Sequence, residues 1–413
     1  GLGVAVLIPT ACCLYALRTW PALGPQRLRS AAIMAVAVGM PLAPLVILEL
    51  YGGPMRCLMT HFTFAFFGVL TFFRTLELFC GTGPKGFDAS LLNFVVYFTS
   101  PAEVLFDKDG RFKAAPVGDL AGLLFRIFGH MLAGTLVLSV GRETSFTPFL
   151  PECDDIAELP WFGLPRSLAA IWLQAAYVYC LLCSAMLMHR LPLSLVGIAT
   201  LDPFDMPLLR SSSVRDFWGR RWNLVIHRLM KRTFFAPFAR NAKHVGGLLA
   251  FVMSGLFHEY MWMVLNWHEE RRIIPGICTL FFIAQFALAG MEAALARTSW
   301  GKRAAALPRP VQTALVTLVI LPFGPLFLSG IRFMAVQCTQ QQMTVAAVPS
   351  GGAPEGAGSS PPLDWVLTGG AALVAAMLHM RQRLRQRRAA IAGEGKGGAI
   401  IVPLEPTSPS LGA

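Results

Sequence analysis

The sequence predicts an all-α polytopic membrane protein with about nine transmembrane helices. Of its 413 residues, 55% are hydrophobic and only 14% are charged, and the mean hydropathy is +0.56. A soluble protein carries roughly a quarter charged residues, so this deficit indicates a surface that faces lipid. A membrane-crossing helix needs about 20 mostly apolar residues. Nine segments approach or reach that length: 2–17, 31–50, 62–79, 120–140, 168–187, 245–265, 277–296, 311–328 and 365–380.

The loops between these segments alternate in positive charge. One set of loops, together with the C-terminal tail, holds 27 Lys and Arg residues, and the intervening set holds 6. Cytosolic loops carry the excess of Lys and Arg, so the richer set is predicted to be cytosolic. Nine crossings then place the N-terminus in the lumen and the C-terminus in the cytosol. Topology thus accounts for the net charge of +12 better than nucleic-acid binding does.

Composition divides the chain into four parts. Residues 1–345 form the predicted membrane domain, in which 189–244 is a long basic cytosolic segment. Residues 346–364 include the run PSGGAPEGAGSSPP and are predicted to form a flexible loop. The last transmembrane helix is 365–380. Residues 381–413 form a basic, low-complexity cytosolic tail beginning RQRLRQRR, a sequence suited to anchoring on anionic headgroups.

Several polar side chains lie inside the apolar segments. Cys180 and Cys183 form a CxxC, but their position in mid-span favours packing over metal or redox chemistry. Two pairs with helical spacing are also found there: Arg74 with Glu77, and Arg126 with His130. These pairs could line a polar passage, although satisfaction by hydrogen bonds between helices is the favoured interpretation.

The segment 245–265 contains the clearest functional signal. It reads VGGLLAFVMSGLFHEYMWMVL, and His258 and Glu259 interrupt its apolar run. Ser254 precedes His258 by four residues and shares its helix face, and Gly255 would permit close approach of another backbone or a substrate chain. Ionisable groups at membrane depth are costly to bury. A functional role for His258 is therefore favoured over the alternative, a histidine that is only packed and hydrogen-bonded within the helix bundle.

A second signal lies upstream, in a segment with nine basic residues between 210 and 243. From residue 217 onward, apolar residues recur at helical spacing, and polar residues occupy another face. The apolar set is Trp218, Trp222, Val225 and Leu229; the polar set is Arg220, Asn223, His227 and Lys231. This pattern predicts an amphipathic helix on the cytosolic surface of the membrane.

The two signals together are more specific than either alone. The string DFWGRRWN, followed by SGLFHEY, resembles the membrane-bound O-acyltransferase superfamily and most closely its plant-type wax ester synthase branch. SGLFHEY is also similar to the diacylglycerol and sterol acyltransferase branch. GTGPKG at 81–86 resembles a Gly-x-Gly-Pro turn of the wax synthases. The resemblance extends over roughly residues 30–330.

The resemblance implies that 1–345 is an acyltransferase domain whose helices enclose a catalytic tunnel. His258 would be the catalytic histidine and Asn223 its polar partner. A neutral imidazole is suited to take a proton from an alcohol, and a fixed amide can stabilise the oxyanion. Supporting or substrate-binding positions would be Ser254, Glu259, Trp222, Arg220, Arg221 and Asp216.

Within these supporting positions, Ser254 would hold the imidazole or the thioester end of the donor, and Glu259 would position the acceptor pocket. The basic segment could attract the phosphates of CoA. Anchoring to anionic lipid accounts for its charge equally well. No metal or redox cofactor is predicted, since His227 and His268 do not lie at ligand spacing with His258.

The predicted activity is transfer of a fatty acyl group from acyl-CoA, as co-substrate, to a long-chain fatty alcohol, which forms a wax ester. A sterol or diacylglycerol acceptor is the alternative within the same mechanism. A proton-coupled transporter is the alternative of another class, but paired repeats with broken helices are not evident, and DFWGRRWN would be unexplained.

The predicted partners are acyl-CoA, the lipid acceptor and membrane lipids, without nucleic acid. The resemblance and the cytosolic supply of acyl-CoA favour the endoplasmic reticulum, and a plastid membrane is the alternative. Because the chain starts at Gly1 rather than methionine, we expect the natural N-terminus, with any targeting peptide, to lie upstream. Acyl chain length and oligomeric state are not encoded in any motif.

Overall fold

A computed structural model describes residues 2–51, 58–116, 118–143, 165–265 and 275–328. Thirteen α-helices are found in these ranges: α1 Leu2–Thr19, α2 Gln26–Tyr51, α3 Leu58–Cys80, α4 Leu91–Thr99, α5 Asp119–Glu143, α6 Pro165–Leu195, α7 Pro207–Arg210, α8 Val214–Asp216, α9 Leu224–Met230, α10 Lys243–Leu265, α11 Ile277–Leu295, α12 Ser299–Ala305 and α13 Arg309–Ile320. One compact unit contains residues 1–194 and 198–353. A second contains 195–197 and 354–413, almost all outside the described ranges.

The chain is a multi-pass membrane protein, as predicted. Within the described ranges, six helices are long and apolar enough to cross a bilayer: Gln26–Ile47, Asp119–Val140, Leu168–Leu195, Lys243–Leu265, Ile277–Leu295 and Arg309–Leu328. Helices α1 and α3 coincide with two further predicted spans but fall outside this set. On α5, Phe125 is 80% exposed and Phe128 66% exposed, which suits a lipid-facing surface. The predicted last span, 365–380, the loop 346–364 and the tail 381–413 lie outside the described residues.

The centre of the bundle is apolar and joins α3, α9 and α10. Phe73 of α3 packs edge-on against Phe257 of α10, with ring centroids 6.2 Å apart. Ile226 and Leu229 of α9 are buried in the same cluster. The segment between α8 and α10 is therefore part of the core.

This burial corrects one feature of the predicted surface helix. The stretch from residue 214 is helical but not continuous: a π-helical turn, Phe217–Arg221, ends at Trp222, and α9 begins only after Asn223. Val225 and Leu229, assigned above to a membrane-facing stripe, are instead buried against protein. A 3.6-residue period predicts an apolar face, but it cannot distinguish a lipid surface from a neighbouring helix.

The side chains of the two predicted pairs, Arg74 with Glu77 and Arg126 with His130, all have partners within the protein. Within each pair, however, the two side chains do not bond to one another. Glu77 pairs with Arg232: Oε1 of Glu77 lies 2.5 Å from Nε of Arg232. Arg126 pairs with Asp202 at 2.8 Å, while Nδ1 of His130 lies 2.7 Å from the backbone oxygen of Arg126. Glu77 and Arg126 therefore bond to other segments of the chain, in line with the prediction, whereas this bond of His130 lies within its own helix, α5.

The GTGPKG segment forms a tight turn that packs against the loop 107–111. A Cβ atom at Gly86 would lie 2.5 Å from Cα of Gly110. The Asn93 amide donates to the carbonyl oxygens of both glycines, at 2.8 and 2.7 Å. Glycine is needed at this close approach.

Helices α10 and α11 pack closely where Gly255 meets Thr279. A Cβ atom on Gly255 would lie 2.5 Å from Cα of Thr279, so even a methyl group forces the two backbones apart. Gly129 of α5 is also within a helix, but a Cβ there meets nothing within 4 Å.

We expect Gly255→Ala to lower the free energy of unfolding by about 1–3 kcal/mol through overpacking. Gly129→Ala should be neutral or raise it by up to about 1 kcal/mol, because alanine favours helix. Thermal unfolding of both purified variants in detergent measures the difference. Equal midpoints for the two variants would contradict the proposed contact.

Candidate active site

A cavity of about 640 Å³ lies between α6, the segment 217–235, α10, α11 and the end of α13. Along α10 its wall extends from His244 to His258, which at 1.5 Å per residue corresponds to roughly 21 Å. The wall is largely apolar. The described residues that form it include four of the predicted site residues: Trp222, Asn223, Ser254 and His258.

His258 is held by one hydrogen bond and three aromatic rings. Its Nδ1 lies 2.7 Å from the backbone oxygen of Ser254. The imidazole stacks on Phe282 at 4.9 Å and is flanked by Phe257 at 4.7 Å and Phe327 at 5.0 Å, measured between ring centroids. A carbonyl oxygen can only accept, so Nδ1 carries the proton and Nε2 of the neutral ring keeps its lone pair. Nε2 has no hydrogen-bond partner among the described residues.

Ser254 lines the cavity, and it contacts His258 through its carbonyl oxygen. Glu259 faces away from the cavity wall. Its Oε1 accepts from the backbone N–H of Thr279 at 3.0 Å, near the start of α11. A carboxylate there satisfies a donor that the helix itself leaves free and is favoured by the helix dipole. In this structure Glu259 joins α10 to α11 and does not contact the cavity.

Asn223 occupies the break between the π-helical turn and α9. Its φ is +41°, a left-handed conformation that asparagine tolerates better than most residues. Its Oδ1 accepts from the N–H of Ile226 at 3.3 Å and so caps α9. The carboxamide oxygen of Asn223 therefore has a structural partner, the Ile226 N–H. Its Nδ2 has no partner among the described residues and is available at the cavity that Asn223 lines.

Asp216 and Arg221 form an ion pair beside the cavity wall. Nε of Arg221 lies 2.7 Å from Oδ2 of Asp216, and its Nη1 lies 2.8 Å from Asp205. Burial alone would raise the pKa of the Asp216 carboxyl, but hydrogen bonds from Arg221 and Ser212, with the Arg221 charge, lower it below its usual range. This pair closes the turn that ends at Trp222.

Arg220 is exposed, and it also lies off the wall formed by the described residues. The structure therefore brings together Trp222, Asn223, Ser254 and His258. It does not bring Asp216, Arg220, Arg221 or Glu259 to the cavity.

Trp222 and Trp218 also line the cavity. Trp222 stacks on Phe217 with ring centroids 5.4 Å apart. Trp218 donates its indole N–H to Oε1 of Gln285, at 3.2 Å. Gln285 is fully buried in α11, and it was not among the residues predicted from the sequence. The signal was available, because Gln285 is a polar residue within an apolar span.

The cavity wall also carries basic and imidazole side chains, those of Arg215, His227, Lys231 and His244. Arg215 lies 3.7 Å from Glu292. Lys231 forms no ion pair with any carboxylate in the described ranges. Burial, followed by the charges of Lys231 and Arg228, lowers the pKa of His227, so its ring is neutral at neutral pH. Asn223, His227 and Lys231 follow one another at intervals of four residues, so the sequence predicted that they share one helix face. The structure places all three on the cavity wall.

The match to a family model falls on the part of the chain that contains Trp222, Asn223, Ser254 and His258. Residues 202–284 match the model of the membrane bound O-acyl transferase family. This segment holds both motif strings. The predicted family resemblance is confirmed.

Three relatives are plant proteins. "Probable long-chain-alcohol O-fatty-acyltransferase 7" of Arabidopsis thaliana is 30% identical over 34% of this chain and 43% of its own length. "Probable long-chain-alcohol O-fatty-acyltransferase 8" of the same plant is 34% identical over 24% of this chain and 32% of its own length. "Long-chain-alcohol O-fatty-acyltransferase" of Simmondsia chinensis is 32% identical over 32% of this chain and 39% of its own length. The aligned region thus spans less than half of each relative.

The Asn223 carboxamide caps α9 through Oδ1 and presents Nδ2 at the cavity, and the cap can be tested by itself. Asn223→Ala removes the cap of α9 and forces alanine into a left-handed conformation, so we expect it to lower the free energy of unfolding by about 1–3 kcal/mol. Asn223→Asp retains an oxygen acceptor for Ile226 and should change it by less than about 0.5 kcal/mol. Thermal unfolding of both purified variants tests this. An aspartate variant as unstable as the alanine variant would show that the cap is not formed.

Proposed function

We propose that this chain transfers a fatty acyl group from acyl-CoA to the hydroxyl of a long-chain fatty alcohol and so forms a wax ester. The observation that carries the proposal is the single hydrogen bond from Nδ1 of His258 to the Ser254 carbonyl. It leaves Nε2 as a base in a largely apolar cavity. The acceptor class is inferred from the relatives, which are named as long-chain-alcohol O-fatty-acyltransferases.

In the proposed reaction, Nε2 of His258 removes the proton from the alcohol as its oxygen attacks the thioester carbonyl. The carbonyl oxygen gains negative charge, and the Nδ2 donor of Asn223 stabilises it. The intermediate then collapses, the C–S bond breaks, and the imidazolium returns its proton to the leaving sulfur. The products are the ester and CoA, and the histidine is again neutral. The reaction uses acyl-CoA as co-substrate and requires no further cofactor.

The apolar wall is suited to two hydrocarbon chains, and its length of roughly 21 Å along α10 is enough to hold a substantial part of a fatty acyl chain. The apolar wall and the aromatic rings around His258 disfavour water at the reacting centre, which favours an alcohol over water as acceptor. We assign the reaction to the endoplasmic reticulum membrane, where acyl-CoA reaches the enzyme from the cytosol.

The phosphates of the donor are proposed to bind at the cytosolic end of the cavity, with Lys231 as the principal cation. Lys231 is exposed and lines the cavity. Arg221, by contrast, is neutralised by two carboxylates, Asp205 and Asp216. The prediction that Arg220 and Arg221 are supporting or substrate-binding positions stays a prediction.

The function is tested by expression in a host that lacks neutral-lipid synthesis, fed fatty alcohol, sterol or diacylglycerol in turn. We expect labelled ester from fatty alcohol. Ester from only a sterol or diacylglycerol would keep the mechanism and change the acceptor, and no ester from any of the three would contradict the proposal.

In the same assay we expect His258→Ala to reduce turnover by about 10²–10⁴-fold, the usual contribution of a positioned general base. Protein level in microsomes should be unchanged. His189→Ala is the matched control, because His189 lies in the spanning helix α6 but off the cavity wall. Wild-type turnover in His258→Ala would exclude His258 as the base.

For the donor site, Lys231→Gln should raise KM for acyl-CoA about tenfold, the loss of one charge-assisted contact, while kcat changes little. Arg240→Gln removes an exposed charge from the same basic segment, away from the cavity, and should leave KM within about twofold. An equal rise in both variants would indicate a general electrostatic effect instead of a site.

A further inference from the structure

Three buried charged side chains, those of Arg74, Glu77 and Glu103, form a cluster outside the cavity with the partly buried Arg232 and with Tyr97. Arg232 lies between two carboxylates, with Nε 2.5 Å from Glu77 and Nη1 2.7 Å from Glu103. The Tyr97 hydroxyl donates to Glu77 at 2.6 Å and accepts from Nη2 of Arg232 at 3.2 Å. Arg74 lies over the Tyr97 ring and donates to the Tyr97 backbone oxygen. The proposed reaction uses none of these groups.

The carboxylates belong to a different part of the fold from Arg232. Glu77 is in α3 and Glu103 follows α4; they precede Arg232 by 155 and 129 residues. Glu77 is 0% exposed and Glu103 2% exposed. Two carboxylates and two guanidinium groups balance in charge. Removing a partner from such a group leaves an uncompensated buried charge.

The π-helical turn Lys231–Phe235 connects this cluster to the cavity. Lys231 and Phe235 line the cavity. Arg232 and Phe234 point to the opposite side, where Phe234 packs edge-on against Phe73 of α3 at 5.7 Å. Fixing Arg232 therefore fixes the orientation of the turn and with it the direction of Lys231.

Arginine is suited to this task because its planar fork donates to several oxygens at once. Here Nε, Nη1 and Nη2 reach Glu77, Glu103 and Tyr97 together. Burial alone would lower the pKa of Arg232, but Tyr97, Glu103 and Glu77 raise it above its ordinary value. The guanidinium is permanently charged. A lysine keeps the charge but cannot make all of these contacts from one ammonium group.

We propose that Arg232 is a positioning residue that orients Lys231 toward the phosphates of the acyl donor. It acts through the turn and does not touch substrate. This inference rests on the proposed function, because it requires that Lys231 binds the donor. The inference also gives a role to Glu77 and Glu103, which are distant in sequence: they hold Arg232 in place and so support the donor site.

The test is a double-mutant cycle on the purified full chain, with free CoA as the probe and its Kd as the readout. Arg232→Lys should weaken CoA binding about tenfold, as loss of the Lys231 contact would. In a Lys231→Gln background, the same Arg232→Lys change should weaken binding by less than about twofold. Non-additivity of this kind distinguishes positioning from a general loss of stability.

Arg190→Lys is the matched control. Arg190 is a buried arginine that pairs with the half-exposed Asp202 and with Thr200, whose Oγ1 lies 2.8 Å from its Nε, off the cavity wall. Its substitution should leave the Kd for CoA unchanged, although it removes contacts of a buried guanidinium group. The thermal unfolding midpoint of each variant shows whether a change in Kd accompanies loss of fold.

An unchanged Kd in Arg232→Lys, or an equal weakening with and without Lys231, would overturn the positioning role. So would an Arg190→Lys variant that weakens CoA binding as much. These results leave the proposed function intact, since the unaltered chain still binds CoA and forms ester. An unaltered chain that neither binds CoA nor forms ester would overturn both proposals.

Discussion

The hydrogen bond from Nδ1 of His258 to the Ser254 carbonyl, 2.7 Å long, is the interaction on which the candidate site depends. It sets the tautomer of the neutral ring and aims the lone pair of Nε2 away from the helix backbone. The stacked ring of Phe282, with Phe257 and Phe327 at the edges, keeps the imidazole in one orientation. A base held in this way in an apolar cavity can act on an alcohol without competition from bulk water.

The residues of the two motif strings divide between chemistry and architecture. In SGLFHEY, Gly255 allows α11 to approach α10, and Glu259 accepts from the Thr279 N–H of α11. In DFWGRRWN, Asp216 and Arg221 close the turn that places Asn223 at the cavity. Most of the motif thus builds the geometry, while His258 and Asn223 line the cavity with polar atoms, Nε2 and Nδ2, that have no hydrogen-bond partner among the described residues. A charged residue in a motif is therefore not, by itself, a substrate contact.

Polar groups in this protein are costly to bury, and the fold uses that cost to connect distant segments. Glu77 lies in α3 and bonds to Arg232, 155 residues later in the chain. Trp218 bonds to Gln285 of α11. Because an unpaired group would be strongly unfavourable in an apolar environment, each such bond fixes the position of the segment that carries it. The basic segment after α6 is held by these bonds and forms one wall of the cavity.

The sequence by itself determined the class of fold, the positions of eight described helices and the two residues, His258 and Asn223, that share the cavity. Apolar run length, helical spacing and motif strings are local properties, so they can be read along one chain. Only the tertiary structure decided which atoms are used. In the structure Glu77 pairs with Arg232 and not with Arg74. Arg221 is held in ion pairs and Glu259 in a hydrogen bond to α11, whereas Lys231 lies at the cavity. These outcomes depend on distances between residues far apart in the chain, and no local pattern contains such distances.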